Sequence, residues 1–271
     1  MTDSPAAADF ELALLSDIGT NRENNEDSCA HLVEGPGEAV LVVADGVGGY
    51  EGGEVASRMA VDVTLETYHD SAPSLGPAKR LYRAVQRANI EVHNKALAIP
   101  ELRRMATTLT AAVLSGGMLY AVHCGDCRLY LVRGSRIQQM TKDHTVIGER
   151  VRMGLLSEKE GREHPDRGAL SRCIGRELIA SLDRLSLPLR PGDRIIVCTD
   201  GLYGVLEDRD MEHLCRGLGA AQACRRLIDE ANARGTGDNL TAAFLLSHNG
   251  APDADPRGWG ARLRSLIRFG R

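Results

Sequence analysis

Short apolar runs bounded by glycine or polar residues recur along most of this chain. Runs of about four to eight residues rich in Val, Ile and Leu are typical of β-strands, and weak alternation indicates that both strand faces are buried. The pattern predicts strands at residues 10–16, 39–44, 107–114, 118–123, 128–133, 136–140, 180–187, 194–198 and 240–246. Gly-Gly at 116–117 and Gly-Ser at 134–135 favour hairpin turns, and therefore antiparallel strands.

Apolar residues that recur every three to four positions predict helices between these groups of strands. The predicted helices cover about 53–68, the segment between Pro77 and Pro100, about 208–216 and about 220–233. Helices inserted in pairs among hairpin strands predict an α+β fold in which helices cover antiparallel sheets.

Two polar stretches interrupt this pattern. Residues 20–28 are predicted to form a loop. Residues 141–175 contain no clear strand, and an irregular insertion of this length in a compact domain is often a functional flap or lid. We therefore predict a flap at about 145–175.

Size, charge and composition narrow the class of protein. The 271 residues suffice for one large domain or two small ones, and the net charge of −4 gives no reason to expect a nucleic-acid partner. The first residues lack a basic segment followed by an apolar one, and no apolar stretch is long enough to span a membrane, so neither a signal peptide nor a transmembrane segment is expected. Seven cysteines scattered through apolar runs fit reduced thiols and predict a cytoplasmic location.

Cys124 and Cys127 form a Cys-x-x-Cys pair that has two interpretations. A redox or zinc motif would require a helix pattern starting at Cys127 or a second cysteine pair at zinc spacing, and the sequence has neither. We therefore expect two small buried residues on either side of a tight turn.

Acidic residues stand where apolar runs meet glycine. The five positions are Asp17 before Gly19, Asp45 before Gly46, Asp126 after Gly125, Asp200 before Gly201, and Asp238 after Gly237. A carboxylate at the edge of an apolar core is costly unless its charge is compensated. Two such charges about 5 Å apart repel by roughly 3 kcal/mol at an effective dielectric of about 20, and divalent cations with oxygen ligands remove this penalty. The pattern therefore predicts a hard-metal site where strand ends converge.

Arg22 lies in the polar loop, close in sequence to Glu26 and Asp27. A guanidinium binds phosphate bidentately and stays charged at any working pH, so an arginine beside a metal site indicates phosphoryl transfer. The glycine-rich stretch 46–53 does not match a nucleotide cradle, because the chain has no Gly-Lys pair and Glu51 occupies the last position of the dinucleotide-binding pattern. We expect its glycines to let the backbone approach the metal, with the carbonyl of Gly46 as a ligand.

A set of short strings occurs in an order that identifies a known family. The strings are SDIGTNRENNEDS, VVADGVGGYEGGEVAS, TTLTAAVL, HCGDCRLYLVR, TKDHT, LSRCIG, PGDRIIVCTDGLYGVL and GTGDNLTAAFLL. Over about residues 10–247 their order resembles the metal-dependent protein phosphatases of type 2C (the PPM family), and most of all the compact bacterial members. The resemblance implies a four-layer α-β-β-α sandwich of two antiparallel sheets flanked by helix pairs, with the metal site at one end.

The resemblance also implies roles for individual residues. It assigns Asp45 as the bridge between two ions. The Gly46 carbonyl, Asp200 and Asp238 are assigned to the first ion, Glu26 and Asp27 to the second ion, directly or through water, and Asp126 and Asp200 to a third. It assigns Arg22 to phosphate binding, Asp143 to a hydrogen bond with metal-bound water, and Asn239 to a supporting position behind the ligands. Because these ligands are all oxygen atoms, two or three Mn²⁺ or Mg²⁺ ions are expected.

The reaction expected from such a site is hydrolysis without a covalent enzyme intermediate. Paired ions lower the pKa of a shared water, which attacks phosphorus in line with the leaving oxygen while Arg22 neutralises the phosphoryl oxygens. Val47 stands where other members carry a histidine proton donor, so the leaving group would take its proton from water on the third ion, from His144 or from His164. For both histidines a surface position without a catalytic role is the more common situation, and that is our expectation.

The sequence thus predicts a serine/threonine protein phosphatase. Its partners would be phosphorylated proteins, among them a cognate bacterial serine/threonine kinase and that kinase's substrates, and it would act as a monomer. Two alternatives stay open. A non-catalytic binding module of the same fold would be expected to have lost ligands, and a phosphatase for a small phosphoester or nucleotide would use the same metal site.

The predicted domain organisation has three parts. Residues 1–9 form a flexible leader, residues 10–248 the catalytic domain, and residues 249–271 a basic tail. Apolar residues alternate with arginines in the tail, so it could form a short amphipathic helix that docks on a partner, an acidic membrane or the catalytic domain, or it could stay loosely ordered.

Overall fold

The computed structural model describes residues 9–35, 37–47 and 52–251, with the backbone alone at positions 158 and 162. Residues 1–8 of the predicted leader, all but the first three residues of the predicted tail, and positions 48–51 of the glycine-rich stretch lie outside the described residues. Within them, no helix is long and apolar enough to cross a membrane.

All nine strands that the apolar runs predicted are present among the described residues, but one of them is divided in two and one further strand is added. They are β1 (Phe10–Asp17), β2 (Asp27–Gly35), β3 (Glu38–Val47), β4 (Ala106–Thr107), β5 (Leu109–Ser115), β6 (Met118–Cys124), β7 (Arg128–Arg133), β8 (Arg136–Gln139), β9 (Asp183–Pro188), β10 (Arg194–Cys198) and β11 (Leu240–Ser247). The predicted strand at residues 107–114 is divided into β4 and β5. The additional strand is β2, whose nine residues are mostly half-exposed and mix polar with apolar side chains, so its sequence lacks the continuous apolar run of a buried strand.

Outside the flap region the four predicted helices are present, and one short helix at residues 200–203 was not predicted. They are α1 (Gly52–Asp70), α2 (Pro77–Ala98), α3 (Val146–Arg152), α4 (Glu158–Glu163), α5 (Asp200–Tyr203), α6 (Asp208–Cys215) and α7 (Ala220–Ala233), with 3₁₀ turns at Pro73–Leu75 and Pro100–Leu102. The prediction that residues 141–175 are irregular is only partly right, because α3 and α4 lie within them. Thr145 and Ser157 cap these two helices with their side chains.

The strands form two antiparallel sheets. The first has five strands in the order β1-β11-β10-β7-β8, and the second runs β2-β3-β5-β6-β9 with β4 paired to β3. α1 packs on β2 and β3, while α2 packs on β5 and β6, so these helices cover the second sheet. α7 packs on β1 and β11 of the first sheet, and α6 packs on β8.

Three apolar clusters fill the spaces between the helices and the two sheets, and the side chains of β3 contribute to two of these clusters. Its side chains alternate: Val40 and Val42 pack toward α1 and α2, whereas Leu41 and Val43 pack toward the other sheet. β10 does the same on the other side, with Ile196 facing the helices α6 and α7. Because both faces of each central strand are buried, the apolar runs of these strands are continuous. The predicted α+β fold of two antiparallel sheets with helices is confirmed, and the packing of the three apolar clusters is consistent with the predicted four-layer α-β-β-α sandwich.

Candidate metal centre

The strand termini that carry the acidic residues meet at one end of each sheet. In the second sheet the start of β2 pairs with the end of β3, so that Asp27 lies directly opposite Asp45. In the first sheet Cys198, two residues before Asp200, pairs with Ala242 near the start of β11, just after Asp238 and Asn239. Antiparallel pairing therefore gathers acids that lie far apart in the sequence.

Asp27 joins the two sheets at this end. Its Oδ2 atom accepts hydrogen bonds from the hydroxyls of Thr199 (2.7 Å), at the end of β10, and Thr241 (2.8 Å), on β11. Asp27 itself is buried, with 8% of its surface exposed. A carboxyl group from the second sheet is thereby tied to the central strands of the first.

Glycine allows the acid-bearing loops to approach each other. A Cβ atom on Gly201, next to Asp200, would overlap the carbonyl oxygen of Asn239, next to Asp238. A Cβ atom on Gly46 would likewise overlap the carbonyl oxygen of Gly53, at the start of α1. The glycines beside the acids in the sequence are therefore required by close backbone packing rather than by a nucleotide.

Ionisation of the gathered carboxyl groups is strongly disfavoured in the folded protein. Burial, and then the charges of neighbouring carboxylates, raise the pKa of Asp126 to about 8, that of Asp27 to about 7 and that of Asp200 to about 6. The pKa of Asp45 is also raised well above its ordinary value, first by burial and then by the charges of Asp27, Asp200, Asp126 and Asp238. A bound cation would stabilise the negative charge of these buried carboxyl groups.

The donor set fits a hard divalent cation, because the groups whose charges act on Asp45 are all carboxyl groups with oxygen ligands. Among the described residues, no three His, Cys, Asp or Glu side chains are already arranged as a metal-binding group. Asp238 instead accepts a hydrogen bond from Arg22 at 2.8 Å, and the Oδ2 atom of Asp27 is occupied by two threonines.

Arg22 reaches the acidic cluster from the loop between β1 and β2. Its guanidinium is half-exposed and forms an ion pair with Asp238, which raises the pKa of Arg22; the charges of Glu26 and Asp200 act in the same direction. The neighbouring Glu26 is partly buried, and burial is the main cause that raises its pKa. A permanent positive charge therefore stands at the edge of the cluster, where solvent can reach it.

Asn239 holds the loop that carries Arg22 and Glu26. Its Oδ1 atom accepts a hydrogen bond from the backbone N–H of Glu26 at 2.9 Å, and its Nδ2 atom donates to the carbonyl oxygens of Ile18 and Asn24, both at 2.9 Å. Three of the four hydrogen bonds available to an amide side chain are thus used to fix this loop.

Asp143 contacts the site through an arginine. Both of its carboxylate oxygens accept hydrogen bonds from Arg128, at 2.7 to 3.2 Å, and Gln139 donates to Oδ1 at 2.8 Å. Arg128 stacks on the ring of Tyr203 at 3.7 Å, and the Tyr203 hydroxyl donates to the carbonyl oxygen of Asp126 at 3.1 Å. Asp143 therefore supports the backbone of Asp126 through this chain of contacts.

Asp17 differs from the other four acids that precede or follow glycine. Its Oδ1 atom accepts hydrogen bonds from the N–H of Gly19 and from Asn232 on α7. It is not among the principal charges that raise the pKa of Asp27, Asp45, Asp126 or Asp200. Local hydrogen bonds account for its position at a strand end.

The expectation that His144 lies on the surface is wrong. The residue is 1% exposed, and its Nδ1 atom accepts a hydrogen bond from the N–H of Gly125, so it does not face solvent as a proton donor would. His164 is partly exposed, and its Nδ1 atom accepts from the N–H of Asp166, within its own loop.

The Cys-x-x-Cys pair is confirmed as two buried residues. Cys124 and Cys127 are free thiols, both essentially inaccessible, and burial raises the pKa of each. Cys127 contacts the hydroxyl of Thr108 at 3.0 Å. A thiol held neutral in this way is a poor nucleophile and metal ligand.

The arrangement matches known proteins in both sequence and structure. The family described as Protein phosphatase 2C matches residues 19–242. The serine/threonine phosphatase Stp of Listeria monocytogenes is 29% identical over 234 residues, which cover 85% of this chain and 93% of Stp. The serine/threonine protein phosphatase PstP of Mycobacterium tuberculosis is 35% identical over 230 residues, which cover 84% of this chain and 43% of PstP.

Solved structures agree with this relationship. The M. tuberculosis phosphatase PstP/Ppp superposes with a TM-score of 0.78 at 34% identity, covering 88% of this chain and 99% of that one. The catalytic domain of PstP in complex with two manganese ions gives a TM-score of 0.75 at 32% identity, covering 87% and 97%. The family match covers most of the described residues, including every acid of the cluster, and the chain therefore belongs to the protein phosphatase 2C family.

Proposed function

We propose that this chain is a Mn²⁺- or Mg²⁺-dependent protein-serine/threonine phosphatase that hydrolyses phosphoserine and phosphothreonine. One observation carries the proposal. Buried carboxyl groups with raised pKa values converge around Asp45, and the partly exposed Arg22 lies beside them. The relatives named as serine/threonine phosphatases, and the relative solved with two manganese ions, support the same activity.

Oxygen atoms from several strand ends would hold the ions. The proposed ligands are Asp45, the carbonyl of Gly46, Asp200 and Asp238 for one ion, Asp45 with Glu26 and Asp27 for a second, and Asp126 with Asp200 for a third. When bound, such ions supply Lewis acidity toward the phosphoryl group and lower the pKa of water. Asp27 would bind the second ion through Oδ1, because Thr199 and Thr241 donate hydrogen bonds to Oδ2.

The other residues orient the substrate and the ligands. Arg22 would bind two phosphoryl oxygens through its guanidinium, which stays charged throughout the reaction. Asn239 fixes the loop that carries Arg22, and Asp143 acts through Arg128 and Tyr203 on the backbone of Asp126. Burial keeps His144 from donating a proton to the leaving oxygen, and Val47 has no proton to donate.

Hydrolysis of a phosphothreonine peptide tests the proposal. We expect phosphate release that depends on added Mn²⁺ or Mg²⁺ and stops when the metal is chelated. Free nucleotides and a small phosphoester should be assayed beside the peptide, because the ions bind only the phosphate and do not select the rest of the substrate. Peptide hydrolysis that persists in excess chelator would contradict a metal-dependent phosphatase, and faster hydrolysis of the nucleotides would contradict the assignment to phosphoproteins.

Replacing Arg22 with alanine should weaken substrate binding and the transition state while leaving the fold intact. Charge-assisted hydrogen bonds contribute roughly 1.5 to 3 kcal/mol, so kcat/KM for the peptide should fall by about ten- to a hundredfold. Arg87→Ala is a matched control, because Arg87 is also exposed and ion-paired, with Glu91 on α2. Equal activity of the Arg22 variant and wild type would exclude a phosphate-binding role for Arg22.

We propose further that the physiological substrates are phosphorylated proteins of a cognate serine/threonine kinase pathway, including the kinase. In this proposal the protein acts in the cytoplasm as a monomer, through a catalytic domain at 10–248 with a flap at about 145–175. A phosphoproteome comparison of cells with the wild-type chain and cells with an Asp45→Asn chain would identify these substrates.

A further inference from the structure

His144 holds the turn before Asp126 at two points. Its Nδ1 atom accepts a hydrogen bond from the N–H of Gly125 at 3.1 Å, and its own backbone N–H donates to the carbonyl oxygen of Gly125 at 2.8 Å. Both polar groups of the Gly125 backbone are thus satisfied by one residue that lies in another segment of the chain.

The backbone conformation of the turn at Gly125 is tightly restricted. Gly125 has a φ of 112°, a conformation that favours glycine, and a Cβ atom there would overlap the side chain of Thr108. Asp126 follows directly, and its carbonyl oxygen accepts from the hydroxyl of Tyr203. The direction in which the Asp126 carboxyl leaves the backbone therefore depends on the contacts of His144 and Tyr203.

The Nε2 side of the His144 imidazole, opposite the Gly125 contact, faces Asp183. Because Nδ1 accepts a hydrogen bond, the ring carries its proton on Nε2, and Nε2 faces the Oδ2 atom of Asp183 at 3.3 Å. Asp183 is fixed by its place in β9, opposite His123 of β6, and by Arg172 at 3.3 Å. The hydrogen bond from Gly125 fixes one side of the ring, and the Asp183 carboxylate lies near the other side without forming a hydrogen bond of good geometry with Nε2.

The same residue marks the beginning of the flap. The carbonyl oxygen of His144 accepts from the N–H of Ser171 at 2.9 Å, near the flap's other end. The next residue, Thr145, pairs with Leu170 and caps α3. His144 therefore contacts the turn before Asp126 and also bonds to Ser171, so that it joins the two ends of the flap at its base.

We propose that His144 is a positioning residue that aligns Asp126 for a divalent cation and connects the base of the flap to that ligand. The proposal rests on the proposed function, in which Asp126 holds an ion with Asp200. In proteins of this kind, residues that orient a ligand typically affect metal affinity by about ten- to a hundredfold when replaced.

The test compares two substitutions of similar size. In His144→Asn the Oδ1 atom can take the place of Nδ1 and accept from Gly125, whereas in His144→Gln the polar group lies near Nε2 and this acceptor is lost. Binding of Mn²⁺ is measured by the electron paramagnetic resonance signal of free Mn²⁺, which does not depend on activity. We expect His144→Gln to weaken the most weakly bound ion by about ten- to a hundredfold, and His144→Asn to stay within a few-fold of wild type.

His123→Gln is the matched control. His123 is also a buried histidine, its ring lies 4.7 Å from that of His144, and it bonds Thr110 and the carbonyl oxygen of Lys142 rather than Gly125. We expect this variant to bind Mn²⁺ as wild type does. Equal weakening in the His123 and His144 variants, or wild-type binding by His144→Gln, would overturn the positioning role.

Asp126→Asn separates the two levels of the proposal. If it loses the weakest ion and His144→Gln does not, the role of His144 is wrong and the proposed function stands. If Asp126→Asn binds as many ions as wild type, the assignment of Asp126 as a ligand is wrong, and the role proposed for His144 fails with it.

Discussion

Asp45→Asn is expected to lower the metal-dependent hydrolysis of a phosphothreonine peptide by roughly a thousandfold or more. Asp45 lies at the centre of the acidic cluster, where the charges of Asp27, Asp126, Asp200 and Asp238 all act on it. Divalent ions supply several kcal/mol of charge stabilisation to a phosphoryl transition state, and about 1.4 kcal/mol corresponds to a tenfold change in rate. The rate should be measured at saturating Mn²⁺ and compared with the wild-type rate in excess chelator.

Asp17→Asn provides the matched control for this substitution. Asp17 also ends an apolar strand next to a glycine, but its carboxyl group is bound by Gly19 and Asn232. We expect this variant to retain nearly full activity. A loss of activity as large as that of Asp45→Asn would mean that strand-end carboxyl groups act through folding, and an Asp45 variant with normal activity would remove the basis of the proposed metal centre.

Without metal, the folded protein is expected to lose stability as the pH rises from 6.5 to 8. The pKa values of Asp126 (about 8) and Asp27 (about 7) are higher in the folded protein than in the unfolded chain, where carboxyl groups titrate near pH 4. The folded state therefore binds more protons than the unfolded state in this range, and its stability falls as these protons leave. Burial lowers the pKa of His123 to about 4, so His123 is neutral in both states near the top of this range and has little influence there.

Thermal unfolding in excess chelator measures this effect. We expect Tm to fall by on the order of 5 to 10 °C between pH 6.5 and 8, since a few kcal/mol of stability are involved in a chain of this size. Asp126→Asn should reduce the fall in Tm, because it removes a carboxyl group whose pKa of about 8 is higher than those of Asp27 and Asp200. Saturating Mn²⁺ should reverse the trend, since metal binding requires deprotonated ligands. A metal-free Tm that is constant or rises over this range would contradict the burial of these groups.

The layered fold could be predicted because most strands are buried on both faces. A continuous apolar run such as residues 195–198 has one structural interpretation once its length is known, and the Gly-Gly and Gly-Ser pairs indicated the hairpins. β2 could not be predicted in this way, because it is mostly half-exposed and depends on pairing with β3. The flap helices were missed although Ser157 and Glu160 form a capping box that can be recognised in the sequence.

The acids of the site could be identified in the sequence, but their partners could not. An aspartate between an apolar run and a glycine signals a charge at the edge of a core, which holds for Asp17 as well as for Asp45. Only the strand register distinguishes a residue that faces other carboxyl groups from one that caps a local turn. The bonds from Asp143 to Arg128 and from His144 to Gly125 likewise depend on tertiary contacts between separate segments.

Direct titration of the chelator-treated protein with Mn²⁺, with bound ions counted by the electron paramagnetic resonance signal of free Mn²⁺, is the most direct test of the acidic cluster. We expect at least two Mn²⁺ ions to bind per chain at neutral pH, and Asp45→Asn to lose them while Asp17→Asn retains them. A wild-type chain that remains folded and binds no Mn²⁺ would contradict the proposal that these strand ends form a metal centre.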